Sequence, residues 1–337
     1  MYAIIPNINK AFIQELFSGD SKSIIRSDNR TINKYRQISI KHLTSSYNSP
    51  IEVRLGNTQI FSQINAKLVQ PRAERPSEGI ISFQIDTHHL KPNADFTSTN
   101  EALNEFRISI SNILEKCLKE SHALDTNILC VMPGKLVWKV ILDISVIKHD
   151  GNIFDTAIIA ALSSWLTYKI PFFRIKEGEL YYDSFINLTT IHMPVCVTNG
   201  IFLKKNKNEE IMFVLDPTFE EESVMSGSVS ICANIFGAIS YMQMNTEVQI
   251  GLDDIEELMA LTEEYVVLIH DEIKSFVEKE NKRFEKMFKA MKIIENKEEG
   301  ENENNIEEKI DNINKINDLM QIEEKNENVT KILEYNK

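Results

Sequence analysis

The sequence lacks paired cysteines. Its four cysteines lie far apart, without the close spacing of a metal-binding knuckle or of a disulfide framework. This scatter favours buried thiols in a reducing compartment, and the four positions are Cys117, Cys130, Cys196 and Cys232. We therefore expect no bound metal, no cofactor and no disulfide bond.

We also expect neither a membrane-spanning segment nor a secretory leader. The longest apolar run, residues 153–166, is too short to cross a bilayer and is interrupted by Asp155. The first ten residues contain no basic stretch followed by a long apolar one, so we expect no secretory signal. These absences predict a protein that has no membrane partner.

An excess of positive charge is missing as well, although the charge is spread unevenly. The formal net charge is −13, and residues 295–337 contribute −7 of it, from 13 acidic and 6 basic side chains. More than half of the negative excess therefore lies in this tail. Because attraction to phosphate depends on where cations cluster, the bulk charge does not exclude RNA as a ligand.

What the sequence does contain is an alternation of β-type runs and helical stripes. With 337 residues, of which 42% are apolar, the chain can bury a sizeable core. Strands followed by a helix, twice over, predict an α+β fold. The predicted elements are a helix over 8–17, strands over 38–43, 51–55, 59–69 and 80–85, a helix over 98–118, strands over 128–132 and 136–147, a helix over 153–168, strands over 195–203, 211–215, 228–234 and 238–244, and a long helix opening at 253.

Composition divides the chain into three regions. We predict an N-terminal helical extension over residues 1–30, an α+β domain over 31–294 that ends in the long helix, and an acidic, mostly disordered tail over 295–337. The apolar stripe of the long helix continues beyond what the core needs. This excess predicts a surface for a partner, made of Phe284, Met287, Phe288 and Met291.

The histidines do not indicate catalysis or metal binding. His88 and His89 have no cysteine or acidic side chain at metal-ligand spacing, which favours a loop or strand-end role over zinc. His149 precedes a turn and His192 precedes a strand, and neither has a serine or cysteine nucleophile nearby. We expect both to be structural.

Five short stretches in a fixed order carry a family signature. They are 75–80 (RPSEGI), 114–119 (LEKCLK), 149–155 (HDGNIFD), 191–197 (IHMPVCV), and 215–217 (LDP) followed by 221–225 (EESVM). In this order the chain resembles the RNase PH superfamily over roughly residues 25–280, and within it the RNA exosome ring subunits of the polymyositis/scleroderma autoantigen type.

The resemblance implies both a fold and partners. It implies the RNase PH fold, two similar ββαβα-like halves packed into one domain. It also implies a hetero-hexameric ring of RNase PH-like exosome subunits with cap subunits, and a central channel for single-stranded RNA. The location implied is the nucleus, including the nucleolus, and the cytoplasm.

The resemblance also identifies a degenerate phosphate site. Active relatives hold phosphate with a Gly-Gly-Thr-Arg turn that opens a helix, where N–H groups, a hydroxyl and a guanidinium surround the anion. Apolar side chains replace the hydroxyl and the guanidinium here, and each lost charge-assisted bond is worth roughly 1.5–3 kcal/mol. The acidic residue after them adds repulsion and also offsets the helix dipole. The site comprises Asp150, Gly151, Asn152, Ile153, Phe154 and Asp155.

A second catalytic element is replaced too. The acidic pair of active relatives falls at Ser226 and Ser228, whereas Asp216 and the glutamates 220–222 remain and are expected to lie in a solvated loop. The sequence therefore predicts a non-catalytic ring subunit. Two alternatives stay open: an active phosphate-dependent 3′–5′ exoribonuclease, and a scaffold that contacts no RNA.

Five basic residues are candidate RNA contacts. Lys116 and Lys119 stand where relatives carry arginines, three residues apart and so on one face of an α-helix. Lys67, Arg72 and Arg75 flank a loop that lines the channel in the resembled ring proteins. The competing interpretations are a solvated helix face for the first group and a charged hairpin tip for the second.

Overall fold

The computed structural model describes residues 7–17, 25–44, 48–90, 98–176, 179–203 and 211–298. A π-helical turn, Glu115–Glu120, continues the second helix, and short 3-10 turns lie at His88–Leu90 and Asn127–Leu129. The helices and strands of the described ranges are α1 (Asn7–Leu16), β1 (Ile38–His42), β2 (Ile51–Leu55), β3 (Thr58–Val69), β4 (Ile80–Asp86), α2 (Ser98–Leu114), β5 (Cys130–Met132), β6 (Leu136–Lys148), α3 (Ile153–Thr167), β7 (Lys169–Lys176), β8 (Glu179–Asn187), β9 (Val195–Leu203), β10 (Ile211–Leu215), α4 (Phe219–Glu222), β11 (Gly227–Ala233), β12 (Ile239–Thr246) and α5 (Leu252–Glu298).

These strands form two main sheets and one hairpin. The first sheet has the order β1-β2-β3-β6-β4, with β5 paired to β6, and β4 is the strand that runs parallel to its neighbour. The second sheet has the antiparallel order β10-β9-β11-β12. In each half of the chain, strands are followed by a helix, and this order occurs twice. The arrangement confirms the predicted fold.

Helix α3 lies in the core and touches both main sheets. Its side chains are apolar or small on every side, and a helix of that kind is stable only when it is enclosed. It packs against β2 and β3 of the first sheet and against β9 of the second. The N-terminal end of this enclosed helix is the predicted phosphate site.

Helix α5 covers the second sheet with the residues before Glu280. Leu258 packs with Val229 and Ile231, and Val266 and Ile269 join the main core. The chain divides into a compact unit, Met1–Glu280, and a second unit from residue 281 onward.

The predicted partner surface belongs to the second unit. The rings of Phe284 and Phe288 stack there with centroids 5.8 Å apart. The side chain of Met291 lies outside the described part of the chain. The role of this surface stays a prediction.

The hairpin of β7 and β8 was not predicted. Its first strand contains Pro171, a residue that marks a run as an edge strand or as no strand at all. The cysteines are free thiols, three of them buried and Cys130 half-buried, as expected. Within the described ranges, no helix has both the length and the apolar character that crossing a bilayer requires.

Candidate functional site

The turn before α3 is held against the turn between β10 and α4. Gly151 adopts a left-handed φ of +84°, and a Cβ at this position would lie 2.4 Å from the carbonyl oxygen of Pro217. Asn152 follows with a φ of 54° and occupies the N-cap position of the helix, without a capping hydrogen bond from its side chain. Glycine is needed here because the two backbones approach too closely for a side chain.

A cavity of about 430 Å³ lies beside this turn, between α2, the start of α3 and the β10–α4 connection. Ile153 and Phe154, which we expect from the sequence in place of a hydroxyl and a guanidinium, line its wall. Ser228, one of the two positions expected to replace an acidic pair, lines it too. Among the side chains described around this cavity there is no lysine and no arginine, so no cation is placed to bind phosphate.

A carboxyl group of the chain itself occupies the helix end. The backbone N–H of Asn152 donates to Glu222 Oε1 over 2.7 Å. Burial raises the pKa of Glu222 to about 7; the bond from Asn152 and the charge of Arg36 oppose this rise, while Asp216 and Asp150 add to it. An anion entering here would therefore meet a carboxyl group that is already bonded to this N–H group.

His149 adds no positive charge to the cavity. Burial lowers the pKa of His149 to about 4, with a smaller contribution from nearby charges. This histidine is therefore neutral at pH 7. Its Nδ1 accepts a hydrogen bond from the N–H of Gly151 over 3.1 Å. Its ring packs near the rings of Phe106 and Phe219, with centroids 5.7 and 5.0 Å away. These contacts agree with the structural role expected for it.

Asp155 does not face the cavity, which differs from the expectation. Its side chain is fully buried and accepts hydrogen bonds from Tyr35 OH over 2.8 Å and from the N–H and hydroxyl of Thr198 over 3.0 and 2.8 Å. Asn152 Nδ2 donates to the same carboxylate over 2.8 Å. The carboxyl group at this turn belongs instead to Glu222, which lies 70 positions further along the chain than Asn152.

The prediction that Asp216 lies in a solvated loop is wrong. Its side chain is 0% exposed, and its backbone has a left-handed φ of 49°. Arg30 Nη1 donates to its carboxylate over 2.9 Å, and Arg36 donates through its backbone N–H, Nε and Nη2 over 2.8–3.0 Å. Burial alone would raise the pKa of Asp216, but these hydrogen bonds and charges outweigh burial and leave it lowered.

A third arginine ties the segment before β1 to the same turn. Arg26 donates to Glu221 through two nitrogens, with Nε over 2.8 Å, and to the carbonyl oxygens of Leu215 and Asp216 over 2.7 and 2.8 Å. Sequence reasoning missed this group of arginines. The available signal was their concentration, at positions 26, 30 and 36, just ahead of the first strand.

The predicted loop residues lie at one end of the first sheet. Lys67 of β3 is directly opposite Lys139 of β6, and Arg72 forms an isolated β-bridge with Arg75. The N–H of Gly134 donates to the carbonyl of Pro76 over 2.9 Å, which brings the neighbouring Lys135 to the same end. We call Lys67, Arg72, Arg75, Lys135 and Lys139 the basic strip; sequence reasoning missed the last two.

Lys116 and Lys119, the other two predicted RNA contacts, have different partners in the structure. The nitrogen of Lys116 lies 5.1 Å from the ring centroid of Tyr241 on β12. Lys119 instead forms an ion pair of 3.6 Å with Glu115. Both lysines lie in the π-helical turn, whose wider winding changes the angle between residues three apart. A spacing of three residues therefore does not place Lys116 and Lys119 on one face here, as it would in an α-helix.

The remaining histidines also have ordinary surroundings. His88 is exposed beside Asp86, with Nδ1 and Oδ1 3.2 Å apart, and His192 Nε2 lies 2.9 Å from the carbonyl oxygen of Ser121. Across the described residues, histidine, cysteine and acidic side chains do not gather in a group of three or more that could hold a metal ion.

The fold and this site define an α+β protein of two repeated halves, with a helix N-terminus where an anion site would lie. Residues 34–171 match the model of the 3′ exoribonuclease family, domain 1, and residues 192–265 match domain 2 of the same family. The chain therefore belongs to the 3′ exoribonuclease, or RNase PH, family.

Individual relatives agree with this assignment. The chain is 35% identical over 231 residues to exosome complex component RRP45A of Arabidopsis thaliana, which covers 66% of this chain and 72% of that protein. It is 30% identical over 267 residues to exosome complex component Rrp42 of Methanothermobacter thermautotrophicus, covering 78% and 93%. The match to RRP45 of Danio rerio spans only 52% of that protein.

Solved structures show the same fold. A chain of the Archaeoglobus fulgidus exosome with RNA bound to its active site superposes with a TM-score of 0.64 at 22% identity, covering 79% of this chain and 98% of that one. A chain of an archaeal exosome core gives 0.63 at 21% identity, covering 80% and 97%.

Proposed function

We propose that this chain is a non-catalytic ring subunit of an RNA exosome, acting in 3′–5′ RNA processing and degradation through assembly and RNA threading. The names of its relatives, exosome complex components RRP45 and Rrp42, support the assembly. The partners would be other RNase PH-like subunits in a hetero-hexameric ring, cap subunits and single-stranded RNA. The nucleus, nucleolus and cytoplasm would be its locations, which imaging of a tagged chain would check.

The observation that carries the loss of catalysis is the carboxyl group at the start of α3. Glu222 bonds to the helix N-terminal N–H, and Phe154 lines the cavity in place of a guanidinium. A phosphate dianion would have to displace a carboxyl group without gaining any cation among the lining residues. Losing one charge-assisted bond costs roughly 1.5–3 kcal/mol, about tenfold or more in affinity.

We expect the purified chain to release no nucleoside diphosphate from a single-stranded oligonucleotide in the presence of inorganic phosphate. The measurement is chromatography of the products, with an active RNase PH enzyme as the positive control. Phosphate-dependent shortening that co-elutes with this chain at constant specific activity would support the exoribonuclease alternative instead. Variants of Asp216 are unsuitable for this test, because that side chain is buried among arginines.

The basic strip supports the RNA contact. Like charges that lie directly opposite each other in a sheet destabilise it, yet Lys67 faces Lys139 and Arg72 faces Arg75. Glu78 pairs with Arg75 over 3.1 Å at the exposed surface, where such a pair contributes little. For Lys67 and Lys139, no carboxylate among the described residues lies within ion-pair distance. An RNA phosphate between the two lysines would relieve this repulsion.

Replacing Lys67 and Lys139 together with glutamine is expected to weaken single-stranded RNA binding by roughly tenfold. The slope of log affinity against log salt should also fall by about 1.4, because two phosphate contacts are lost. The measurement is a salt series with the assembly that co-purifies with the tagged chain. In the same assembly, Arg72→Ala with Arg75→Ala should weaken binding as well.

The matched control is Lys41→Gln with Lys148→Gln. It removes the same charge from the same sheet, at positions outside the basic strip. Equal losses in both double variants would indicate a general charge effect. No loss in either would favour the scaffold that contacts no RNA.

A further inference from the structure

The cavity beside α3 has a charge opposite to that of a phosphate site. Its acidic lining residues are Glu105 of α2 and Glu222 of α4, while its one lining histidine, His149, is neutral at pH 7. Aromatic rings form much of the remaining wall, contributed by Phe106, Phe154 and Phe219. Acidic groups combined with aromatic faces are the surroundings that favour a flat organic cation.

Asn152 supplies a second, independent indication. This residue lines the cavity and is 1% exposed. Its Nδ2 donates to Asp155 over 2.8 Å and to Asp216 over 2.7 Å, so the amide nitrogen is committed to the buried network. Its Oδ1 accepts no hydrogen bond from the described residues. A buried acceptor without a donor is costly, and a ligand N–H group would satisfy it.

We propose that this cavity binds a guanidinium group, carried by an arginine side chain or by a free alkylguanidine. A guanidinium is planar, stacks on aromatic rings and presents N–H groups in a fork that matches a carboxylate. Glu222 and Glu105 would supply carboxylates, and Asn152 Oδ1 the further acceptor. This proposal goes beyond the ring-subunit function and does not depend on it.

Binding should strengthen as the pH rises through neutrality. Glu222 faces His149 Nε2 at 3.8 Å and the N–H of Asn152 at 2.7 Å, with Arg36, Asp216 and Asp150 as the charged groups around it. Burial raises the pKa of Glu222 to about 7, so much of it is protonated at neutral pH. A bound cation favours the ionised carboxylate, so affinity should be greater at about pH 8 than at about pH 6.

The test is a titration with agmatine, an alkylguanidine, followed by methyl NMR of the full chain labelled at its methionine methyl groups. Met225 lines the cavity, whereas Met259 lies in α5, packs against the cluster of Ile201 and Val229, and serves as an internal reference. We expect a saturable shift of the Met225 signal at millimolar agmatine and little change at Met259. Met225→Leu assigns the signal.

Two variants and one control variant test which carboxylates bind the ligand. Glu222→Gln should weaken agmatine binding about tenfold, as expected for a lost charge-assisted bond. Glu105→Gln should weaken it by a smaller factor, because this carboxylate is exposed to solvent. Glu120→Gln removes an exposed carboxylate outside the cavity and should leave binding unchanged. Glu105 is exposed, so its variant remains informative if Glu222→Gln does not fold.

Further ligands distinguish the two sources of a guanidinium group and the outcomes that would contradict the proposal. If a blocked Gly-Arg-Gly peptide shifts the Met225 signal as agmatine does, an arginine side chain is a sufficient ligand. If agmatine binds and the peptide does not, the ligand is a free alkylguanidine. Pentylamine binding as tightly as agmatine would overturn the preference for guanidinium. An unmoved Met225 signal with both agmatine and phosphate would overturn this proposal alone, whereas saturable phosphate binding would overturn the loss of catalysis as well.

Discussion

Replacing Asp216 with alanine is expected to lower the free energy of unfolding by about 3–5 kcal/mol, the cost of breaking a buried ion pair from one side. Arg30 and Arg36 both donate to this carboxylate, and both guanidiniums are more than nine-tenths buried. Without it, two positive charges would remain in a region with little water. The carboxyamide of Asn152, which donates to Asp216 over 2.7 Å, would lose an acceptor as well.

The measurement is urea unfolding of the full chain, followed by the fluorescence of the buried Trp165. Asp216→Asn should fall between wild type and alanine, because asparagine tolerates the left-handed backbone and keeps one acceptor oxygen but lacks the charge. Asp271→Asn is the control, since this α5 carboxylate is exposed and should change stability by less than about 0.5 kcal/mol. A loss below about 1 kcal/mol for Asp216→Ala would show that the arginines are hydrated or find other partners.

Local patterns predicted most of the elements. In β6 every second residue from Trp138 to Val146 is buried, so an alternating run was enough to define both the strand and its inner face. The turn at Gly151 followed by a continuous apolar stretch was enough to define α3. These signals are local because each depends only on neighbouring residues and on whether one face or all faces are enclosed.

The site could be predicted only in part, because its decisive contacts join distant segments. Arg36 and Asp216 are 180 positions apart, and Asn152 and Glu222 are 70 apart. Spacing along the chain carries no information about such pairs, so the acidic residues around position 220 looked like a solvated loop. The proposed replacements at Ile153 and Phe154 come from comparing a family motif residue by residue, which does not need the fold, and they stay a prediction.

The α-helical spacing assumed for Lys116 and Lys119 was wrong for a different reason, while their contact with RNA stays a prediction. A spacing of three places Lys116 and Lys119 on one side of an α-helix, but the chain widens into a π-helical turn at this point. The register of β3 and β6 instead placed Lys139 opposite Lys67. No periodicity predicts that pairing, since it depends on which strand becomes the neighbour.

A second large effect is expected for Gly151→Ala, which should cost roughly 2–5 kcal/mol of unfolding free energy. Part of this cost, about 1–2 kcal/mol, is the left-handed backbone at a φ of +84°. The remainder comes from the new Cβ, which would lie 2.4–2.6 Å from backbone atoms of residues 217–219. Backbone cannot move aside as a flexible side chain can, so the β10–α4 turn must shift.

Gly134→Ala separates these two costs. Gly134 has a similar φ of +75°, but a Cβ there would meet no atom within 4 Å. Its alanine variant should therefore lose only the backbone part, about 1–2 kcal/mol, in the same urea measurement. Equal losses in the two variants would mean that the turns before α3 and α4 can move apart freely. An excess loss at Gly151 would show that close backbone packing holds the turn before α3 against the β10–α4 turn.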